Sequence, residues 1–242
     1  MEFGPGEAIL VAAAFLVGFG NAILGSTGGL LLATMASILP PPLVVPAHAV
    51  LEALRNGSAW YRLRRSFSLQ IVVAAGFGSL LAIGLVAPFA SVVPAHVQAI
   101  LIGAFLIWAC WWPAPDPGRR FPFRLPLASS LTGASSVFLG ETGPLLRPFI
   151  ADEPVDPNLV PGTVNAVAAI QHGLKVLAFA VLGAAYLPLL PLLVAMVVAG
   201  ALGMALAARF RIRLPVVLAS LLIRLVVTAL ALRLLAIAVG WL

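Results

Sequence analysis

The sequence predicts an all-α polytopic membrane protein built from two related halves. Of its 242 residues, 62% are hydrophobic and only 9% are charged. Its mean hydropathy of +1.12 is higher than that of soluble domains of this size. The apolar residues form runs of about 20, the length at which a helix crosses a bilayer. The pattern Leu-Gly-x-Thr-Gly-x-Leu-Leu occurs at 24–31 and again at 139–146, which is 115 residues later. We therefore expect one membrane domain, 1–242, with an internal duplication.

The duplication divides the chain into a first repeat at 1–112, a linker at 113–124 and a second repeat at 125–242. Pro46 and Pro161 follow the two motifs at the same offset of 115. The linker is rich in proline and arginine, in contrast to the apolar sequence on either side.

Each repeat opens with an apolar segment that the glycine motif interrupts. The first segment, 7–39, has 33 residues, which is too long for one straight span and too short for two. Clustered glycines break a helix and let the backbone turn. We expect a re-entrant hairpin or a sharply broken helix here, and a second one at 125–151.

Three transmembrane helices should follow the broken segment in each repeat. The apolar runs that predict them are 45–61, 69–88, 95–112, 159–182, 189–208 and 214–240. The third of these runs ends in Trp108, Trp111 and Trp112, which is typical of an aromatic belt at the membrane surface.

The loop charges predict a topology in which the repeats are inverted. The loops at 62–65, 119–124 and 209–213 are basic and should be cytoplasmic, while the links at 88–94 and 183–188 are uncharged and should be outside. If every segment crossed once, 209–213 would lie opposite 62–65. The conflict disappears if each broken segment enters and leaves on one side, which leaves three crossings per repeat and puts both termini outside. The alternative, eight full spans with parallel halves, leaves one basic loop on the wrong side.

The two breaks are candidate anion-binding sites. A helix that restarts after a break has free N–H groups and a positive dipole end. Two such breaks at matching places indicate a transporter's central site. The alternative is that the glycines only allow close helix packing. The motif residues that would bind an anion are Gly25, Ser26, Thr27, Gly28, Gly29, Gly140, Thr142 and Gly143.

The helix after each break carries polar residues that a membrane span disfavours. Their spacing puts each group on one helical face and predicts a cationic pocket in which Arg55 and Lys175 bind the anion. Alternatively, Arg55 neutralises Glu52 and ties two helices together, and Lys175 extends to the membrane surface. The binding candidates on these helices are His48, Arg55, Asn56, Asn165, Gln171, His172 and Lys175.

Four residues are candidates for proton coupling: Glu52, Glu141, His48 and His172. Glu141 stands where the first motif has Ser26. A carboxyl group buried at a helix break can take up a proton, and imidazole titrates near neutral pH. The alternatives are that Glu141 caps a helix or pairs with Arg147, and that the histidines only bond to a neighbouring helix.

The two breaks, GFGNAILGSTGGLLL and ASSVFLGETGPLL, with the proline-headed helix after each, resemble the sulfite exporter TauE/SafE family of membrane permeases. The resemblance implies two related halves and a secondary transporter, a permease or exporter. Its substrates would be sulfite, organosulfonates and related small anions, moved across the bacterial inner membrane. The chain departs from the family in having Ser26 and Thr27 within the first glycine run. It also has His48, Glu52 and Arg55 where small residues and hydroxyls are usual.

The expected partners are a small anion and the lipid bilayer, and a homo-oligomer stays open. The formal charge of +6 lies in short arginine clusters between apolar runs, so we expect no nucleic-acid partner. We expect no cofactor and no metal, because His48 and Glu52 at i and i+4 lack a third ligand. No motif of an intramembrane enzyme is present, so we expect no catalytic activity. An anion channel-like pore is the alternative to a transporter.

Overall fold

The fold is known from a computed structural model that describes residues 4–24, 27–112, 114, 116–118, 121–210 and 215–241. Within these residues all regular structure is helical. Two short 3₁₀ turns, Pro157–Leu159 and Leu187–Leu189, precede the eighth and ninth helices. The α-helices are α1 (Pro5–Leu24), α2 (Gly28–Ile38), α3 (Pro41–Arg62), α4 (Leu69–Ala90), α5 (Ala95–Trp111), α6 (Arg124–Leu139), α7 (Gly143–Ala151), α8 (Val160–Val181), α9 (Leu190–Phe210) and α10 (Val216–Ala238).

Each of the six predicted spans corresponds to one helix. Four described segments are both long and apolar enough to cross a bilayer: Leu69–Ala90, Pro157–Val181, Leu187–Phe210 and Val216–Ala238. The prediction of a multi-pass α-helical membrane protein is therefore confirmed. α3 has 22 residues but a low mean hydropathy because of its polar face, and α5 is shorter, at 17 residues.

The glycine motif breaks the helix in both halves, as predicted. α1 ends at Leu24 and α6 at Leu139, and α2 begins at Gly28 and α7 at Gly143, so both breaks keep the offset of 115. Gly140 ends α6 with φ +83, a left-handed conformation that favours glycine. Gly25 and Ser26 lie outside the described residues, as do Arg119, Arg120, Arg211 and Arg213 of the basic loops.

Both broken segments return to the end at which they start. A Cβ atom on Gly6, near the start of α1, would lie 3.1 Å from Ile38 Cγ2 at the end of α2. In the second segment, Arg124 at the start of α6 donates to Asp152 Oδ2 and Glu153 Oε1, each at 2.7 Å, just after α7 ends. Each pair of helices is thus a hairpin, as a re-entrant segment requires.

The chain packs as two compact units. The first comprises Met1–His48, Pro94–Trp112 and Ala185–Leu242. In it α1 packs on α9 and α2, while α10 packs on α5 and α2. Gly203 of α9 lies against the backbone carbonyl of Phe15, where a Cβ atom would overlap it. Small residues at this crossing let the two backbones touch.

The second unit comprises Ala49–Val93 and Pro113–Ala184. Here α4 packs on α6 and α8, and α7 packs on both α6 and α8. Gly78 of α4 lies against the carbonyl of Pro126, again without room for a Cβ atom. One buried apolar cluster of this unit is formed by Ile71, Val72, Ala75, Leu125, Leu146, Ile150, Ala166 and Val167.

Helices of the two halves are exchanged between these units. α4, from the first half, packs on α6 of the second half, and α9, from the second half, packs on α1 of the first. α1 and α6 both end at the glycine motif, and α4 and α9 both follow the proline-headed helix by one loop. The same pairing is therefore made twice, with the halves exchanging roles.

Candidate functional site

The second helix break places the Glu141 carboxylate on the first amides of α7. Its Oε1 accepts hydrogen bonds from the backbone N–H groups of Thr142 and Gly143, each at 3.2 Å. Pro144 has no N–H, and the Leu145 amide donates to Thr142 O. Glu141 is 6% exposed, and its Oε2 has no hydrogen-bond partner among the described residues. A negative side chain of this protein thus occupies the end of α7 that was predicted to bind an anion.

Lys175 lies on the other side of the same break. Its Nζ donates to Gly140 O at 2.8 Å and to Ser136 O at 3.3 Å, the last carbonyls of α6. A cation at a helix C-terminus offsets the negative end of the dipole. Lys175 is fully buried, so it does not extend to the membrane surface. It joins α8 to the end of α6 and also lies within electrostatic range of Glu141.

A second buried carboxylate lies on α3. Glu52 is fully buried and forms an ion pair with Arg55, whose Nε donates to Glu52 Oε1 at 2.8 Å. Asn56 Nδ2 adds bonds to Glu52 O at 2.8 Å and to Glu52 Oε2 at 3.1 Å. The predicted polar face of α3 therefore exists from Glu52 onward, and Arg55 neutralises Glu52 on its own helix.

The two carboxylates are close together. An oxygen of Glu52 and an oxygen of Glu141 lie within 4.8 Å of each other, and Glu141 is within electrostatic range of Arg55. The two carboxylates thus form a charge cluster at the break with two cations, Arg55 and Lys175. When all four groups are ionised, the net charge of this cluster is zero. The two carboxylates could hold a metal ion only with further ligands, so the expectation of no metal stays a prediction.

His172 contacts the same break. Its Nε2 lies 3.4 Å from Thr142 Oγ1, and both residues are fully buried. This contact ties the motif threonine of the second half to α8. Asn165, predicted to share this face, is half-buried, and its amide instead donates to Pro161 O within α8 at 2.7 Å.

Gln171 contacts buried polar residues that were not predicted from the sequence. Its Nε2 donates to Ser79 Oγ at 2.9 Å, to Thr132 Oγ1 at 3.2 Å and to Ser129 O at 3.3 Å. Gln171 therefore links α4, α6 and α8 through buried hydrogen bonds. The signal was present in α6, where Ser129, Thr132 and Ser136 recur at a spacing of three to four and so share one face.

The first break is closed by a neutral side chain. The Thr27 amide donates to Asn21 Oδ1, and Thr27 Oγ1 donates to Val17 O of α1, both at 2.9 Å. Gly28 and Gly29 begin α2. His48 is fully buried in the same unit, on the first turns of α3.

The comparison with known families decides the class of this protein. The model of the sulfite exporter TauE/SafE family matches residues 10–234 of the chain. The chain belongs to this family. Comparison with curated proteins gave no match, and comparison with solved structures gave none either.

Membership of the TauE/SafE family makes this chain a multi-pass membrane protein of the anion-exporter type, with a small anion and the bilayer as its partners. The match covers both glycine breaks and all ten helices except a few residues at either end. The buried charges at the second break are therefore the candidate site of a TauE/SafE transporter.

Proposed function

We propose that this chain is a secondary transporter, a permease or exporter, of small anions such as sulfite, organosulfonates or related carboxylates. It works across the bacterial inner membrane and couples transport to protons. One observation carries the proposal: Glu52, Glu141 and Lys175 lie buried at a helix break, together with the half-buried Arg55. Buried charges are costly in a membrane protein and mark transport pathways and proton relays.

The proposed anion site combines cations with motif donors. Arg55 and Lys175 supply positive charge, and the Thr142 and Gly143 amides supply hydrogen bonds of the kind that bind oxyanions. Gln171, His172 and Thr142 border the break through their contacts with one another or with α6. Thr27, Gly28 and Gly29 form the corresponding start of α2, in the other unit.

Proton coupling follows from the charge balance of the cluster. The four ionised groups cancel, so a bound anion would leave a net negative charge in a buried place. A proton on Glu141 or Glu52 restores neutrality and releases a cation for the anion. His172, which contacts Thr142, is the proposed route for that proton, and His48 is the second proposed proton carrier.

The proposed arrangement in the membrane is an inverted repeat. Because both broken segments are hairpins, three crossings remain in each half, α3–α5 and α8–α10. An odd number of crossings gives the halves opposite orientations. The basic loops at 62–65, 119–124 and 209–213 then lie in the cytoplasm, and both termini lie outside.

The test is sulfite uptake into proteoliposomes, with and without an inward proton gradient. Wild-type protein should take up sulfite faster with the gradient. Arg55→Gln should reduce uptake to background, and the double variant Glu52→Gln/Arg55→Gln should not restore it. Restored uptake in the double variant would mean that Arg55 only neutralises Glu52. Arg147→Gln, at an exposed position of α7, is the matched control and should transport normally.

Glu141→Gln tests the coupling. The variant should still transport sulfite, but uptake should no longer respond to the proton gradient. Wild-type uptake that follows only the sulfite gradient, with no effect of pH, would instead indicate a channel-like pore. Sulfonates and dicarboxylates in the same assay define the substrate class.

A further inference from the structure

The start of α7 has no amide left over for a substrate. Of its first amides, those of Thr142 and Gly143 both donate to the same oxygen of Glu141. The Leu145 amide donates to Thr142 O, and Pro144 has none. An anion that is to bind at this helix end must first replace the Glu141 carboxylate.

Glu141 forms only weak hydrogen bonds for a buried carboxylate. Both of its amide bonds, at 3.2 Å, are at the long end of the usual range for N–H···O bonds. Its Oε2 is buried without a hydrogen-bond partner among the described residues. The nearby cations donate to other acceptors, Lys175 to backbone carbonyls and Arg55 to Glu52. Apart from the attraction of these cations, which any anion at this place would share, the carboxylate therefore gains little from its hydrogen bonds.

The first break shows that a charged group is not needed to close such a turn. There the Thr27 amide donates to the neutral side chain of Asn21. In the second break the corresponding amide, that of Thr142, donates to a carboxylate, which offers a negatively charged oxygen as a small oxyanion does.

We propose that Glu141 is a tethered competitor of the transported anion: its carboxylate occupies the anion's own place on the Thr142 and Gly143 amides and must leave before the anion binds. The substrate class is then a small oxyanion, one of whose oxygens can accept hydrogen bonds from both amides as Glu141 Oε1 does. The inference rests on the proposed function only for the identity of the competing anion. A group that occupies the site nine-tenths of the time weakens the apparent affinity for a competitor about tenfold.

The experiment measures anion binding directly, by thermal unfolding of the purified full-length protein in detergent. In Glu141→Ala, acetate and sulfite should each raise the unfolding temperature, because either ion can take the place of the missing carboxylate. Acetamide, which is neutral, should not. Sulfite should act on this variant at about one-tenth of the concentration that wild type needs. The matched control is Glu7→Ala, an exposed glutamate in the first turn of α1, which should respond like wild type.

A second variant covers the case in which Glu141→Ala does not fold. Glu141→Gln keeps the shape and an amide-accepting oxygen but loses the charge, so sulfite should again act at a lower concentration than in wild type. Equal sulfite concentrations for wild type and both foldable variants, with no effect of acetate, would overturn the proposal.

The outcome separates this inference from the proposed function. Acetate that stabilises Glu141→Ala, together with no sulfite uptake by wild type, would support the tethered carboxylate and reject the sulfite transporter. Sulfite uptake by wild type, together with identical binding in wild type and variants, would do the reverse.

Discussion

Replacing Lys175 by methionine tests whether this residue holds the helix break, in addition to the positive charge that it supplies to the proposed anion site. Methionine keeps the length of the side chain but removes its charge and its donors. Ser136 O would still accept the Gly140 amide at 2.9 Å, so the group that loses its bond is Gly140 O, which lies 2.8 Å from Nζ. Leaving one buried carbonyl unpaired costs about 1–3 kcal/mol.

That cost converts into a measurable change in thermal stability. For a protein of this size, 1 kcal/mol lowers the unfolding temperature by about 2–4 °C. Lys175→Met should therefore unfold about 2–12 °C below wild type when followed by size-exclusion chromatography after heating in detergent. Arg147→Met, which removes an exposed cation from α7, should unfold within about 2 °C of wild type, since surface substitutions change stability by less than about 0.5 kcal/mol.

If Lys175→Met abolishes sulfite uptake but unfolds at the wild-type temperature, then Lys175 binds substrate and does not hold the end of α6. The double variant Lys175→Met/Glu141→Gln adds a further check. If the two charges stabilise each other across the break, the combined loss should differ from the sum of the single losses by at least about 0.5 kcal/mol.

Three further predictions concern packing, an ion pair and a tyrosine. Gly203→Val should destabilise the protein by about 1–3 kcal/mol in the detergent unfolding assay, because a side chain there overlaps a carbonyl of α1. The control is Gly84→Val, which should be nearly neutral in the same assay, because nothing lies within 4 Å of that position. Arg124→Ala should make the second hairpin more sensitive to protease, because its two carboxylate partners join the ends of that hairpin; unchanged cleavage would contradict this. Burial raises the pKa of Tyr186 to about 12, so stability should fall as pH rises from about 10, the unfolded value, through 12, and Tyr186→Phe should remove that part of the pH dependence.

The breaks and helix ends were predictable because they are local. The motif glycines and the prolines that follow act within a few residues, so α2 and α7 begin where the sequence indicates. The polar face of α3 follows equally from a spacing of three to four residues. Both features require only neighbouring residues along the chain.

The partners of those features were not predictable. Lys175 donates hydrogen bonds to the carbonyls of Ser136 and Gly140, which are 39 and 35 residues away in the sequence. The sequence did not indicate these acceptors, because a buried lysine can bond to any buried acceptor. Glu141 was expected either to cap a helix or to take up a proton. Its Oε1 accepts hydrogen bonds from the Thr142 and Gly143 amides at the start of α7, and proton uptake stays a prediction. The exchange of helices between the halves was also not visible in the sequence, because spans that face lipid and spans that face protein are equally apolar.

The exchange of α4 and α9 has a consequence for biogenesis. α1 ends at Leu24 and its packing partner α9 begins at Leu190, so a nascent chain must emerge for 166 further residues before α1 finds its neighbour. Until then the face of α1 that packs on α9 is uncovered in the bilayer and accessible to insertase or chaperone proteins of the membrane. A truncated gene product that stops after the first half could not mature alone, whereas two half-length chains made in the same cell should reassemble.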